Sequence, residues 1–227
     1  MKKILPMMSL IPLLACSTVA MADDYAFDYK TYARPANMIQ KVYSTDDPAC
    51  GQIEERHFSS VVGAEGTQEA VRRIRYDALG TVCQNRVFNY LNTERKRVMV
   101  SKENWNLSGS RLNSIDTPES PVVRLTARMR KGQTFGSAAA VIRSTLDQQL
   151  PQGAIVETSA ALGLEDVSVP YGSYTACLKV HTVRNSVAFS NFNRMAWYCQ
   201  GVGEVKRIDT FSDGSAKIQL LTGAVVN

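Results

Sequence analysis

The run VSVPYGSYTACLKVH at positions 167–181 and the run WYCQGVGEVKR at positions 197–207 form the part of the chain that decides the fold. Aromatic and β-branched residues are frequent in both runs, and these residue types favour strands on a pleated surface. The residues between them, 184–193, are rich in Asn and Ser, which favour turns. The pattern predicts an antiparallel hairpin with one cysteine in each strand.

A disulfide between Cys177 and Cys199 would fix the register of this hairpin. It requires Cβ atoms about 3.5–4.5 Å apart, which directly opposed residues of two strands can reach. Gly201 and Gly203 indicate a bulge or sharp bend in the second strand. The register that follows pairs Leu178 with Tyr198, Lys179 with Trp197 and Val180 with Ala196.

The concave face of a curled antiparallel sheet encloses side chains, and such cavities can hold one lipid-like ligand. An ordinary packed core is the alternative for the same side chains. Val205 joins the lining only if a bulge at the glycines shifts the alternation of faces. The candidate lining residues are Leu178, Val180, Ala196, Tyr198, Val202 and Val205.

Residues 165–174 (EDVSVPYGSY), 177–180 (CLKV) and 197–206 (WYCQGVGEVK) resemble the C-terminal signature of a group of bacterial periplasmic β-proteins and lipoproteins. The pattern of that group reads V-x-V-P-A-G-x-F-x-x-C-L-K-V, then W-Y-A-P-G-V-G-x-V-K. The chain differs in having Tyr171 for Ala and Cys199-Gln200 for Ala-Pro. The resemblance implies a fold similar to the LolA/LolB-like half-barrel: mainly β (α+β), a curled antiparallel sheet with one short helix.

The N-terminus predicts export. Lys2 and Lys3 precede an apolar run at 4–15 that is too short to span a bilayer. Cleavage after Ala22 would remove a signal peptide (1–22) and release a β-rich domain (23–227) into the periplasm. Alternatively, 13–16 resembles a lipobox, so that cleavage after residue 15 and lipidation of Cys16 would give an outer-membrane-anchored lipoprotein. No later segment is apolar enough to be transmembrane.

Four cysteines remain after Cys16, and an even number in an exported chain indicates two disulfides. Of the three pairings that four cysteines allow, we favour Cys50–Cys83 and Cys177–Cys199. The chain has no C-x-x-C motif, and neither histidine stands at ligand spacing from a cysteine pair. We therefore expect no metal and no cofactor.

The net charge is +5, and removal of a leader that contains Lys2 and Lys3 lowers it by two. Basic clusters occur at 72–75, 95–97 and 128–131. They could meet an anionic surface polymer or an envelope protein, or they could be solvated edge strands. Export excludes nucleic acid as a partner.

Two further segments carry expectations. Residues 102–121 are rich in Asn, Ser, Gly and Asp, which predicts an exposed loop. Trp105 and Leu107 could anchor that loop as a lid, or it could be a plain connector. Residues 137–150 are the best helix candidate, because Ala is a strong helix former and Ile142, Leu146 and Leu150 recur at i, i+4, i+8.

Catalytic motifs are absent from the sequence. It has only two histidines, no H-E-x-x-H motif and no nucleophile elbow, so we expect no enzyme. The first functional hypothesis is an envelope protein that binds a lipid or other apolar ligand in a half-barrel cavity. The second is a non-catalytic structural or protein-interaction module of the envelope.

Overall fold

The computed structural model describes residues 26–32, 38–47, 49–58, 61–187 and 190–226. Within these residues the chain forms sixteen strands and one helical turn of four residues. Residues 1–25, and with them Cys16 and both leader predictions, lie outside the described part. The elements are β1 (Ala26–Phe27), α1 (Tyr29–Tyr32), β2 (Met38–Thr45), β3 (Gln52–His57), β4 (Val61–Gly63), β5 (Gly66–Tyr76), β6 (Val82–Asn92), β7 (Lys96–Trp105), β8 (Leu112–Pro118), β9 (Val122–Thr126), β10 (Met129–Arg130), β11 (Thr134–Ser144), β12 (Gln149–Val169), β13 (Gly172–Ser186), β14 (Phe192–Cys199), β15 (Gly203–Phe211) and β16 (Ala216–Val226).

Twelve of the strands close into an antiparallel barrel in the order β3-β2-β16-β15-β14-β13-β12-β11-β8-β7-β6-β5. Pairing of β3 with β5, from Gln52 opposite Tyr76 to His57 opposite Val71, joins the two edges. The predicted antiparallel β fold is therefore confirmed, but the half-barrel is corrected to a closed barrel. Closure satisfies the backbone groups that the edges of a half-barrel would leave unpaired.

The predicted hairpin is confirmed. Leu178 lies opposite Tyr198, Lys179 opposite Trp197 and Val180 opposite Ala196. The predicted bulge is also present, because Trp197 pairs with Lys206 while Tyr198 pairs with Glu204, which leaves Val205 as the extra residue.

Both predicted disulfides form, Cys50–Cys83 and Cys177–Cys199. The first joins the connection between β2 and β3 to β6, and the second joins β13 to β14. Cys177 and Cys199 are both buried, whereas Cys83 is only half-buried. The two links therefore sit in different surroundings, although each closes a loop of similar length.

The helix predicted at 137–150 is wrong, because this segment forms most of β11 and the start of β12. Burial alternates along β11: Ala139 and Val141 are buried, while Ala138 and Ala140 are exposed. Hydrogen-bonded pairing with β12, and with β8 at its C-terminal end, stabilises the extended chain. Strand pairing on both sides outweighs the modest helix preference of three alanines.

The loop predicted at 102–121 is also wrong. Residues up to Trp105 continue β7 and Leu112–Pro118 form β8, so only 106–111 and 119–121 lie outside strands. The amide oxygen of Asn106 accepts hydrogen bonds from the backbone N–H groups of Ser110 and Arg111 (3.0 and 3.1 Å). Most of the polar residues that predicted a loop therefore lie on two paired strands. Leu107 is exposed in the turn between them.

The two ends of the barrel differ. We call the end with the turns at 77–81, 106–111, 145–148 and 212–215 the upper end, and the end with the turns at 93–95, 170–171 and 200–202 the lower end. Buried apolar side chains form two clusters toward the lower end. The plug cluster comprises Phe27, Tyr29, Tyr32, Leu125, Met129, Ala161, Leu178 and Val180. The disulfide cluster comprises Tyr43, Ile53, Val167, Cys177, Trp197, Cys199, Val205 and Leu221.

Two segments hold the lower end together. The Tyr29 hydroxyl in α1 donates to the carbonyl of Thr93 (2.5 Å), which fixes the N-terminal segment against the β6–β7 turn. The tip of the β12–β13 hairpin reaches β16, where the N–H of Tyr171 donates to the carbonyl of Leu221 (3.1 Å). Each hydrogen bond therefore ties a segment of backbone to the lower end of the barrel. Among the described residues, no helix has the length and apolar character needed to cross a membrane.

Candidate functional site

A cavity of about 400 Å³ lies inside the barrel. Its floor includes Tyr32 and Leu125 of the plug cluster and Tyr43 of the disulfide cluster. Ser190, which is exposed in the connection between β13 and β14 at the upper end, also lines it. The cavity therefore extends from the apolar lower end to the surface at the upper end.

Alternation of side chains along the strands places charged groups in the wall. On β6, for example, Arg86, Phe88 and Tyr90 line the cavity at i, i+2 and i+4. Nine Lys or Arg side chains line the cavity, with three carboxylates, Glu55, Asp116 and Glu204. The basic residues are Lys41, Arg73, Arg86, Arg97, Lys102, Arg124, Arg184, Arg194 and Arg207.

Further carboxylates stand behind the lining. Glu157 is buried and accepts from Arg184 Nε (2.6 Å) and from Arg124. Burial raises the pKa of Glu157, but the two guanidinium groups outweigh this effect, so the pKa lies below its usual value. One carboxylate thus holds two arginines in place.

A second group of charges lies nearer the upper end. Asp116 accepts from Arg143 Nε (2.7 Å) and forms an ion pair with Lys102 Nζ (2.6 Å). Asn104 Nδ2 also donates to Asp116 (3.2 Å). Burial raises the pKa of Asp116, and the hydrogen bonds from Arg143 and Lys102 outweigh it and lower the pKa to about 2. Asp116 is therefore ionised and saturated with donors.

The wall formed by β3, β5, β6 and β7 combines ion pairs with aromatic rings. Arg73 pairs with Glu55 and lies over the ring of Phe88, 5.3 Å from its centroid. Arg97 pairs with Glu69 (2.9 Å) and lies 4.2 Å from the centroid of Tyr90. Guanidinium groups held by a carboxylate on one side and a ring on another are fixed in position.

The opposite wall is also ion-paired. Arg194 on β14 makes two hydrogen bonds to Asp209 (2.6 and 2.9 Å). Arg207 contacts Glu204 (3.2 Å), which the bulge in β15 turns into the cavity. Burial, and to a lesser extent the charge of Glu204, raise the pKa of the Tyr198 hydroxyl, so Tyr198 stays neutral.

Arg86 differs from its neighbours. Among the residues that the structure describes, no carboxylate or other hydrogen-bond partner contacts its guanidinium. Burial, followed by the positive charges of Arg73 and Arg75, lowers the pKa of Arg86. The cavity therefore contains one guanidinium that is positioned by the barrel and not neutralised by it.

Part of the wall is apolar. Met99, Leu125, Val141 and Ile155 come from β7, β9, β11 and β12, are buried, and line the cavity. Pro118, at the end of β8, lies beside Val141. The cavity thus presents an apolar strip on one side and a cationic wall on the other sides.

The predicted lining residues occupy several places. Tyr198 alone among them lines the cavity. Leu178 and Val180 belong to the plug cluster, Val205 belongs to the disulfide cluster, and Val202 packs against that cluster. Ala196 is buried on β14 between Arg194 and Tyr198 in the alternation. Trp105 and Leu107, the predicted lid anchors, are not among the lining residues.

The basic clusters of the sequence are not solvated edge strands throughout. β5 and β7 are not edge strands, because each is paired on both sides within the closed barrel. Arg73 and Arg97 on these strands face the cavity. Arg130 and Lys131 are exposed, as expected. Sequence reasoning missed the inward charges, although Arg86, Phe88 and Tyr90 show the alternation that carries them.

The two histidines lie in different surroundings. His57 contacts Glu69 (3.1 Å) beside the cavity, and His181 contacts Asn193 (2.5 Å) on β14. No group of three or more His, Cys, Asp or Glu side chains in that part is arranged to hold a metal ion.

Two solved structures share the fold. A "putative lipoprotein" from Parabacteroides distasonis ATCC 8503 is similar with a TM-score of 0.58 and 12% identity, over 86% of this chain and 98% of that chain. A "putative exported protein with YmcC-like fold" from Bacteroides fragilis NCTC 9343 is similar with a TM-score of 0.59 and 12% identity, over 88% and 100%. The chain matches no protein-family model and no curated protein in sequence. At this level of identity the similarity establishes the fold alone.

Proposed function

We propose that the protein is an exported protein of the bacterial envelope that binds a small ligand, or the end of a longer one, inside its barrel. The cavity of about 400 Å³ carries this proposal. Its volume falls within the range of about 300–1,000 Å³ typical of small-molecule sites. The protein acts by enclosing the ligand and does not catalyse a reaction.

Three observations support export. The N-terminal sequence has the charge and apolar run of a leader, and the chain forms two disulfides, which persist in oxidising compartments. The two solved structures with the same fold are a "putative lipoprotein" and a "putative exported protein". We place the protein in the periplasm, either soluble or held at the outer membrane through Cys16.

The side chains that line the cavity restrict the class of ligand that it can bind. A wholly apolar ligand would remove water from nine basic side chains without replacing their hydrogen bonds, which is unfavourable. A lipid-derived or other partly apolar ligand with a polar end suits both the apolar strip and the cationic wall. Residues 165–206 resemble a signature of bacterial envelope β-proteins whose fold is similar to that of LolA/LolB-like lipoprotein carriers, and this resemblance supports the same class.

The second candidate is an interaction module whose cavity is only a polar core. The pairing of Glu55, Glu157 and Asp116 with bases favours it, because such pairs can serve fold specificity without any ligand. In that case the partner would be another envelope protein or an anionic surface polymer, met by the outer surface of the barrel.

Native mass spectrometry of the mature protein, purified from its own periplasm, separates the two candidates. We expect a ligand to co-purify at near-stoichiometric amount. Val141→Trp fills the cavity and should reduce ligand occupancy, whereas Val156→Trp, on an exposed position of β12, should not. Circular dichroism checks that both variants fold. A ligand-free mass for the wild type, in the same preparation, would contradict tight binding and favour the interaction module.

A further inference from the structure

Arg86 lies in a row of charged side chains that crosses the cavity wall. Arg73 on β5 is its direct cross-strand partner. Lys102 on β7 is its diagonal neighbour, since Asn104 is the residue directly opposite Arg86. Long side chains at such diagonal positions are within reach of one another. A ligand group in front of Arg86 would therefore also meet Lys102.

This part of the wall has an excess of positive charge. Lys102 lies opposite Asp116, and Asp116 lies opposite Arg143. Asp116 already accepts from both of these cations, so it has no capacity left for Arg86. Glu55, the next carboxylate along the row, is engaged by Arg73. Lys102 and Arg143 thus share Asp116, Arg73 pairs with Glu55, and Arg86 has no carboxylate of its own.

An uncompensated guanidinium in a half-buried cavity lowers the stability of the folded chain. Removing a charge from water is unfavourable unless an opposite charge or hydrogen bonds replace the water. Like-charged neighbours at Arg73 and Lys102 add repulsion. A position that is unfavourable for folding but points into a cavity is typical of a binding site.

We infer that Arg86, with Lys102 beside it, binds the negatively charged group of the ligand, a carboxylate or a phosphate. A guanidinium offers parallel N–H donors that match both groups. This inference rests on the proposed function and adds the chemical class of the ligand.

The side chains around Arg86 indicate the chemistry of the rest of the ligand. Val141 lies on the same strand as Arg143, one inward position below it, and Met99 and Ile155 continue the apolar strip. A ligand whose charged end contacts Arg86 would lay an adjoining apolar part against these side chains. An acyl chain with a carboxylate or phosphate end has this chemistry, and an acidic sugar with one apolar face shares its charged group.

Matched pairs of probes test the inference at low ionic strength, by calorimetry on the full mature chain. The pairs are octanoate with octanol, glucuronate with glucose, and inorganic phosphate alone as the free anion. We expect the charged member of one pair to bind and its neutral analogue to bind at least tenfold more weakly. Binding of octanoate would identify a lipid as the source of the charged group, and binding of glucuronate would identify a sugar. Binding of phosphate alone would identify a free anion.

Arg86→Gln provides the decisive variant, and Arg95→Gln, which removes one exposed positive charge in the turn at 93–95, is its control. Arg86→Gln should weaken binding of the charged probe roughly tenfold or more. It should also raise the Tm of the ligand-free protein by roughly 2–4 °C, because it removes an unmatched charge. Arg95→Gln should change neither quantity.

The outcomes separate the inference from the proposed function. If a ligand co-purifies but Arg86→Gln releases none of it and lowers the Tm, Arg86 is structural and the inference fails while the function stands. Equal binding of charged and neutral probes has the same meaning. If nothing co-purifies and no probe binds, both proposals fall.

Discussion

The lower end of the barrel and the cavity above it solve the same problem in opposite ways. Both must fill the inside of a closed sheet, and the lower end does so with apolar side chains such as Leu178 and Leu221, neither of which is exposed to solvent. The cavity wall instead carries nine basic groups, most of them held by carboxylates. Apolar packing fills space, whereas ion-paired walls hold side chains apart. The apolar lower end therefore stabilises the barrel, while the proposed ligand binding depends on the cavity.

Acid should affect the cavity wall most strongly. The pKa of Glu55 is about 2, because Arg73 and other cations outweigh the effect of burial. A carboxylate whose pKa is lower in the folded than in the unfolded chain stabilises the fold at pH values above its unfolded pKa. This stabilisation is lost as the pH falls from about 5 to about 2. Glu55 alone contributes on the order of 3 kcal/mol. Thermal unfolding at pH 7, 5, 3 and 2 measures this loss.

Hydrogen exchange locates the acid effect. Protection should fall first in β3 and β5, and last around the Cys177–Cys199 disulfide of the β13–β14 hairpin, where the apolar contacts do not titrate. Glu55→Gln should flatten the pH dependence, since it removes the largest titrating group. A Tm that stays constant from pH 5 to pH 2 would show that the wall does not stabilise the fold.

Removal of Glu157 should be the most damaging substitution in the wall. Glu157→Gln leaves Arg124 and Arg184 without their shared carboxylate, and loss of one partner from a buried ion pair costs about 3–5 kcal/mol. Glu165→Gln is the control, because its pair with Lys179 is exposed and contributes about 0–1 kcal/mol. Urea unfolding of both variants measures the difference, and equal effects would contradict the distinction between wall and surface.

Leu178→Ala should show what the apolar end contributes. Leu178 is fully buried in the plug cluster, and truncation of such a side chain costs about 2–5 kcal/mol. Leu79→Ala, at an exposed turn position, should change stability by less than about 0.5 kcal/mol. The pH dependence of Leu178→Ala should match that of the wild type. A steeper dependence would mean that the two regions do not act independently.

The two disulfides should differ less in how much each contributes to stability. Loss of either should cost about 2–4 kcal/mol, since both close loops of similar length. The C177A/C199A double variant should lose more than C50A/C83A, because Cys177 and Cys199 are buried in the apolar disulfide cluster. Urea unfolding measures both. The reverse order would mean that the lower end tolerates loss of its covalent link.

Sequence patterns predicted the structure correctly where one pattern determines both the conformation of a segment and the strand with which it pairs. The β13–β14 register followed from one cysteine in each strand. They failed at 137–150 and 102–121, where Ala and polar residues have only weak preferences. Pairing with strands distant in sequence decided those segments.

The candidate site was harder to predict than the fold. Period-two alternation at Arg86, Phe88 and Tyr90 shows that these three side chains share a face. It does not show which face is inside, because in an ordinary antiparallel sheet the charged face is the solvated one. The sequence by itself therefore determined a disulfide-linked, antiparallel β-protein. Only the tertiary structure, by pairing β3 with β5, closed the sheet and turned a charged face toward an enclosed cavity.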